Sequence, residues 1–189
     1  MSDKIDELLS ENKHIWKTKS AYWSYIRGGL RRGLWMRNPV KIQLKNRLRA
    51  RIPNPDESKR EGRWAEVWGN KCDICEQWYL QNDVEVDHKI GNHSLTCEED
   101  LMNFFASIAF VTEDELQLVC KPCHKIKSYA ERMGISFNEA RVIKEIIELQ
   151  KEGKDTGKLL QLGVTNDNIP TTKEKRRQLL TKLMLEVET

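Results

Sequence analysis

Cys72-Asp-Ile-Cys75 and Cys120-Lys-Pro-Cys123 are two Cys-x-x-Cys pairs with 44 residues between them. Four thiolates paired in this way suffice to close a tetrahedral zinc site. Four cysteine ligands leave no open coordination position, so a metal held there is structural and the chemistry has to come from other residues. Asp87-His88 lies between the pairs, and His124 follows the last cysteine directly. A metal drawing the two pairs together would make the intervening loop and the segment after Cys123 neighbours. One carboxylate and two imidazoles would then gather into a second site. The fifth cysteine, Cys97, stands outside both pairs and reads as a partly buried loop thiol with no assigned role.

The run Glu115-Leu116-Gln117-Leu118-Val119-Cys120-Lys121-Pro122-Cys123-His124-Lys125-Ile126-Lys127, taken with the first cysteine pair and Asp87-His88, resembles the HNH (ββα-metal) endonucleases with four zinc cysteines. That subgroup runs Cys-x-x-Cys, a strand ending in Asp-His, a variable loop, then Asn-Leu-Gln-x-Leu-Cys-x-x-Cys-His-x-x-Lys. The likeness to the core motifs covers residues 72–127. A looser likeness, to small HNH proteins of bacteriophages, takes in the Arg-rich segment before it and Gly134-Ile-Ser-Phe137 after it. One position departs from the pattern, because Glu115 stands where the family has Asn. Glutamate can accept a hydrogen bond or ligate a metal, but it cannot donate an amide N–H. Asn92 and Asn103 lie nearby at other offsets.

The resemblance implies a metal-dependent DNA endonuclease with one structural Zn2+ on Cys72, Cys75, Cys120 and Cys123. His88, with an unperturbed pKa of about 6.5, can be neutral at physiological pH and take the proton of an attacking water. Asp87 and His124, with Glu115 as a further candidate ligand, would hold one divalent ion against the scissile phosphate and the leaving 3′ oxygen. Mg2+ is the simplest choice, and a histidine ligand also admits Mn2+, Co2+ or Ni2+. Products would carry 5′-phosphate and 3′-hydroxyl ends. Lys127, one helical turn beyond His124, is a candidate phosphate contact, or else a solvated helix lysine. The competing reading is a non-catalytic zinc ribbon that binds nucleic acid, or a decayed nuclease; an RNA-directed protein is a third.

Charge supports a polyanionic partner. Residues 15–51 hold eleven Lys and Arg and no Asp or Glu, while the whole chain nets +3, so the remainder carries −8. A one-signed field of that kind suits DNA, here expected to be double-stranded. The candidate contacts are Arg27, Arg31, Arg32, Arg37, Lys41, Lys45, Arg47, Arg49 and Arg51, with Trp16, Tyr22, Trp23, Tyr25 and Trp35 interleaved. Those aromatics are more often core residues than base readers. Lys173, Lys175, Arg176 and Arg177 form a second run, read as surface charge. Phe104–Val111, the longest apolar stretch at eight residues, falls well short of the roughly 20 that span a bilayer. The charged N-terminus lacks a secretory apolar region. A cytoplasmic protein is expected, in an infected bacterial host if phage-encoded, with no membrane partner.

Elements must position these residues. Ser2 can cap a short amphipathic helix, and a second helix is expected over about 20–34, weakened by Gly28, Gly29 and Gly33. Pro39 suits the first turn of a third, over 39–51, with Val40, Leu44 and Leu48 at four-residue steps opposite Lys41, Lys45 and Arg49. Residues 53–62 read as a polar linker. Short strands are expected at 78–80, at 84–86 leading into Asp87-His88, and at 116–119. A helix is expected from about Cys97 to Ile108, and another from Pro122 to about Met133, stopped by Gly134. Capping boxes at Ser136–Glu139 and Thr171–Glu174 open two more, with a flexible break at 153–157. The expected class is α+β: a zinc-stapled ββα-metal core with flanking α-helices, mostly helical overall. Its divisions are a basic DNA-binding arm and linker (1–62), a zinc-binding nuclease core (63–134) and C-terminal helices (135–189).

Overall fold

The computed structural model describes residues 2–91 and 94–187; Asn92 lies outside them. It is α+β and mostly helical, and divides into two units, 1–121 and 122–189. No helix among the described residues is long and apolar enough to cross a membrane.

The first unit begins with α1 (Ser2–Glu11) and α2 (Lys19–Gly33), the latter capped by Thr18 Oγ1 accepting from Ala21 N–H. A 3-10 turn over Trp35–Arg37 leads into α3 (Pro39–Arg47). Asn38 caps α3, its Oδ1 accepting from the N–H groups of Val40 and Lys41. The chain does not stay helical to residue 51. Residues Arg49–Pro53 form β1, so Arg49 leaves the helical face it was expected to share with Lys41 and Lys45. Pairing won over helix propensity here. β1 pairs antiparallel with β2 (Glu66–Lys71), placing Ile52 opposite Val67, and Pro53 sits harmlessly at the strand end.

Strand β2 was missed in the sequence because Gly69 and Asn70 are poor strand formers. Packing requires Gly69, since a Cβ there would come 2.7 Å from the Tyr79 carbonyl oxygen and collide with Ile52. β3 (Trp78–Leu80) joins β2 on its other side, giving a three-stranded sheet in the order β1-β2-β3. A separate antiparallel pair joins β4 (Val84–His88) to β5 (Leu116–Cys120), with Asp87 opposite Gln117 and His88 opposite Leu116. Between these strands runs α4 (Leu101–Ala109). It starts later than expected because Asp100 Oδ2 accepts from Thr96 N–H and Oγ1–H and from Cys97 N–H, holding a non-helical turn first.

Two apolar clusters fill this unit. One joins Leu44 of α3 to Val84, Val86, Leu116 and Leu118 of the strand pair, with Val111. The other joins Trp23 of α2 to Leu95, Phe104 and Ile108. Trp35 packs against both.

The second unit contains α5 (Lys121–Met133, which starts one residue before the division), α6 (Phe137–Lys151), α7 (Asp155–Gln161) and α8 (Lys173–Val187). Gly134 at φ 65° ends α5 as expected. Gly153 at φ 69° likewise ends α6, but residues 155–157 are helical instead of a flexible break. Val142, Ile146, Leu159, Leu180 and Met184 form the core of α6, α7 and α8. Arg176 and Arg177 are not surface charge. Arg176 Nε donates to the buried Asp155 at 2.7 Å and its Nη1 to the Pro170 and Thr171 carbonyls, while Arg177 donates to Gln150 Oε1. Both cations staple the helices together.

Candidate functional site

The cysteine cluster starts at the end of β2. Cys72 N–H donates to the Gln77 carbonyl and Glu76 N–H to the Cys72 carbonyl, closing a tight knuckle with Glu76 in the left-handed region at φ 57°. Asp73 fastens the knuckle to β5, its N–H donating to the Leu118 carbonyl and its Oδ2 accepting from Leu118 N–H at 2.6 Å. The Sγ atoms of Cys72, Cys75, Cys120 and Cys123 all lie within 4.8 Å of one another, with Cys75 and Cys120 4.0 Å apart. Zinc–sulfur bonds of about 2.3 Å give a tetrahedron with edges of about 3.8 Å, so this four-cysteine cluster has the size and donor set to hold zinc. Three of the four are buried and Cys75 is half-buried. Cys120 N–H donates to Cys72 Sγ at 3.3 Å, and the Tyr79 hydroxyl lies 3.5 Å from Cys75 Sγ. Hydrogen bonding to Cys75 and Cys120, then burial and thiolate charge, push the Tyr79 pKa well above its ordinary value. The phenol thus stays protonated as a donor to sulfur, the kind of outer contact that orients a metal ligand.

Asp87 and His88 close β4, both half-buried. The ring of His88 is held on two sides. Its Nε2 lies 2.7 Å from the Ser107 carbonyl oxygen in the last turn of α4, and its plane stacks on Trp35 with centroids 4.5 Å apart and 14° between planes. A carbonyl can only accept, so Nε2 carries the proton and Nδ1 is the basic nitrogen of the neutral ring. The last-turn carbonyls of a helix lack intrahelical partners. Here Ser107 takes His88, and the next, Ile108, takes Asn38 Nδ2 at 2.9 Å. Gln117 adds a third tie, donating to the His88 main-chain carbonyl at 3.0 Å.

Two cations of the arm, Arg31 and Lys41, are electrostatically coupled to Asp87. Burial lowers the Lys41 pKa, Glu85 opposes that shift, Lys45 adds to it and Asp87 opposes it. Burial and Arg27 lower the Arg31 pKa, with Asp87 acting against them. Lys41 Nζ also sits over the Trp35 ring at 4.4 Å, on the residue that stacks on His88.

Other expected site residues take definite places. Glu115 Oε2 accepts from Thr112 N–H and Oγ1–H at 2.7 and 2.9 Å, bracing the turn before β5 from the acceptor side. His124 is half-buried in the first turn of α5. Lys127 is buried and pairs with Glu131 one turn on, so it is not a solvated lysine. Several arm cations have partners within the chain: Lys45 Nζ donates to the Val84 carbonyl, Arg47 pairs with Glu113, and Arg51 donates to the Glu66 carbonyl. Arg27 donates to Ser24 Oγ, Arg31 lies over Phe104, and Arg49 lies 4.3 Å over Trp68. Arg32 and Arg37 are exposed. Asn103 is exposed on α4, away from any bracing role. The sequence reading missed Ser107, Asn38 and Trp35 as neighbours of the site. Only Asn38, as an Asn-Pro helix start, carried a local signal.

No family model, curated protein or solved structure matches this chain.

Proposed function

We propose that the protein is a metal-dependent DNA endonuclease of the HNH kind, with a structural zinc ion in the four-cysteine cluster and His88 as general base. The observation that carries this reading is the fixing of His88: a carbonyl at Nε2 and an indole against its face leave Nδ1 as the proton acceptor, next to a carboxylate at a strand end. Beside it stands Asp87, electrostatically coupled to Arg31 and Lys41.

In this reading the attacking water gives its proton to His88 Nδ1 as oxygen bonds to phosphorus, and the bond to the 3′ oxygen breaks. By the resemblance, Asp87 and His124 would supply one carboxylate oxygen and one imidazole nitrogen, a donor set that would suit a divalent ion keeping several of its waters. Such an ion, when bound, stabilises charge on the phosphoryl and leaving oxygens. Arg31 and Lys41, both within electrostatic reach of Asp87, offset the charge of an incoming phosphate.

Incubation of supercoiled plasmid with the protein and Mg2+ or Mn2+, with and without EDTA, tests the reading. Cleavage that needs the added ion and falls roughly 10²- to 10⁴-fold in His88→Ala, with DNA binding retained, is expected. Binding without cleavage in any divalent metal would instead identify a non-catalytic zinc ribbon.

A further inference from the structure

We propose that Trp35, a residue of the basic arm, positions His88, so that the arm forms one wall of the catalytic centre as well as carrying charge to the DNA. This rests on the nuclease reading for its catalytic consequence, but not for its geometry. A hydrogen bond at Nε2 does not by itself fix the plane of an imidazole, because the second torsion of histidine is only broadly confined. A flat surface against the ring removes the remaining freedom. Trp35 supplies it, nearly parallel at 14° and 4.5 Å between centroids. The Ser107 carbonyl and the Trp35 indole thus both bear on the direction of Nδ1, from two different elements.

Trp35 is itself over-determined. It packs against both apolar clusters of the first unit, and Lys41 Nζ covers its ring at 4.4 Å. Its turn is pinned by Asn38, which caps α3 through Oδ1 and donates through Nδ2 to the Ile108 carbonyl. The neighbouring carbonyl, of Ser107, receives His88. The last turn of α4 is therefore a shared bracket, fixing the platform and the ring placed on it to adjacent main-chain atoms.

The test separates stacking from packing. Trp35→Phe keeps a ring, whereas Trp35→Leu keeps apolar bulk without one. In the full-length zinc-loaded protein, without DNA or added divalent ion, the wild-type His88 ring protons should show the upfield NMR shift of a ring stacked on an indole. Trp35→Phe should retain part of that shift and Trp35→Leu should lose it, with thermal unfolding and zinc content monitored in parallel. With DNA and Mg2+, Trp35→Leu should lower kcat about ten- to a hundredfold at nearly unchanged KM, and Trp35→Phe should recover most of it. If the His88 resonances stay put in a folded Trp35→Leu protein, or if its kcat equals that of Trp35→Phe, the positioning role is wrong. If the wild type does not cut DNA at all, the nuclease reading falls and the proton shifts alone decide the geometry. Should Trp35→Leu fail to fold, Trp35→Phe decides: an upfield shift reduced in step with kcat supports the stack, and a reduced shift at wild-type kcat overturns the positioning role.

Discussion

The side-chain amide of Gln117 donates to the main-chain carbonyl of His88, 3.0 Å away across the β4–β5 pair. In the proposed HNH reading, an Asn side chain two positions earlier would brace the loop. That position here is Glu115, which accepts from Thr112 and so closes the turn from the other side. An amide donor and a carboxylate acceptor thus divide the bracing between two residues of one segment.

Glu115 therefore gives a discriminating substitution. Glu115→Gln keeps an acceptor oxygen for both Thr112 donors, whereas Glu115→Ala removes it and should cost about 1 kcal/mol, as loss of a cap does. A bracing role predicts a nearly normal Gln variant, a less stable Ala variant, and the same Mg2+ concentration for half-maximal cleavage in both. A parallel rise in that concentration in the two variants would make Glu115 a metal ligand instead.

How much of this was legible in the sequence differs by element. Spacing alone marked the cysteine cluster, since Cys-x-x-Cys pairs have few other uses in one polar chain. Strands β4 and β5 alternate cleanly and were found. β1 and β2 were not, because Arg49-Ala-Arg continues the charge pattern of α3 and Gly69-Asn70 suppresses the strand signal; only the β1–β2 pairing, with the Ile52 side chain packed against Gly69, resolves them. The clamp on His88 was invisible for a different reason. It uses a main-chain carbonyl of Ser107 and an aromatic 53 positions earlier in the chain, and neither leaves a trace in local composition.

Tyr79 tests the zinc cluster without touching a ligand. Protein purified without added metal should carry about one zinc per chain, and Tyr79→Phe, which removes the hydroxyl beside Cys75, should weaken zinc by about tenfold in competition with a chromophoric chelator. Cys72→Ser should be far more severe, because metal binding and folding are one equilibrium in such small units. Well-folded protein free of zinc would exclude the structural-metal assignment.

The Arg176–Asp155 pair predicts how the second unit responds to acid. Burial alone would push the Asp155 carboxyl up, but the hydrogen bond and charge of Arg176, aided by Thr156 N–H and Gln150, outweigh it and leave the pKa below its ordinary 3.8. A carboxylate with a depressed folded pKa contributes stability that is complete above the unfolded value and lost as pH falls through the folded one. The Asp155 contribution should therefore be intact at neutral pH and fade progressively as pH falls from about 4 through the depressed folded value. Asp155→Asn leaves the half-buried Arg176 without a counter-charge and should cost about 3 kcal/mol at pH 7, a penalty that shrinks on acidification. Denaturant unfolding of both proteins at pH 7 and pH 3 measures it. A penalty independent of pH would mean that the loss is one of packing, not charge.

Arginines of the arm separate into those occupied within the chain and those available to a ligand. Arg47 pairs with Glu113, and the exposed position of that pair limits its worth to about 1 kcal/mol or less. Arg32, Arg37 and Arg49 have no carboxylate at ion-pair distance among the described residues, and Arg49 instead rests on Trp68. Neutralising these three to Gln should weaken duplex binding for all sequences, and each lost phosphate contact should flatten the log-affinity against log-salt slope by about one unit. Arg47→Gln should leave the slope unchanged while lowering stability slightly. Filter or fluorescence titrations between low and physiological salt, alongside thermal unfolding of the same proteins, give both quantities. If the triple variant kept its slope and lost stability, the arm's charge would serve the body of the protein, against its −8 remainder, and the duplex would have to lie elsewhere.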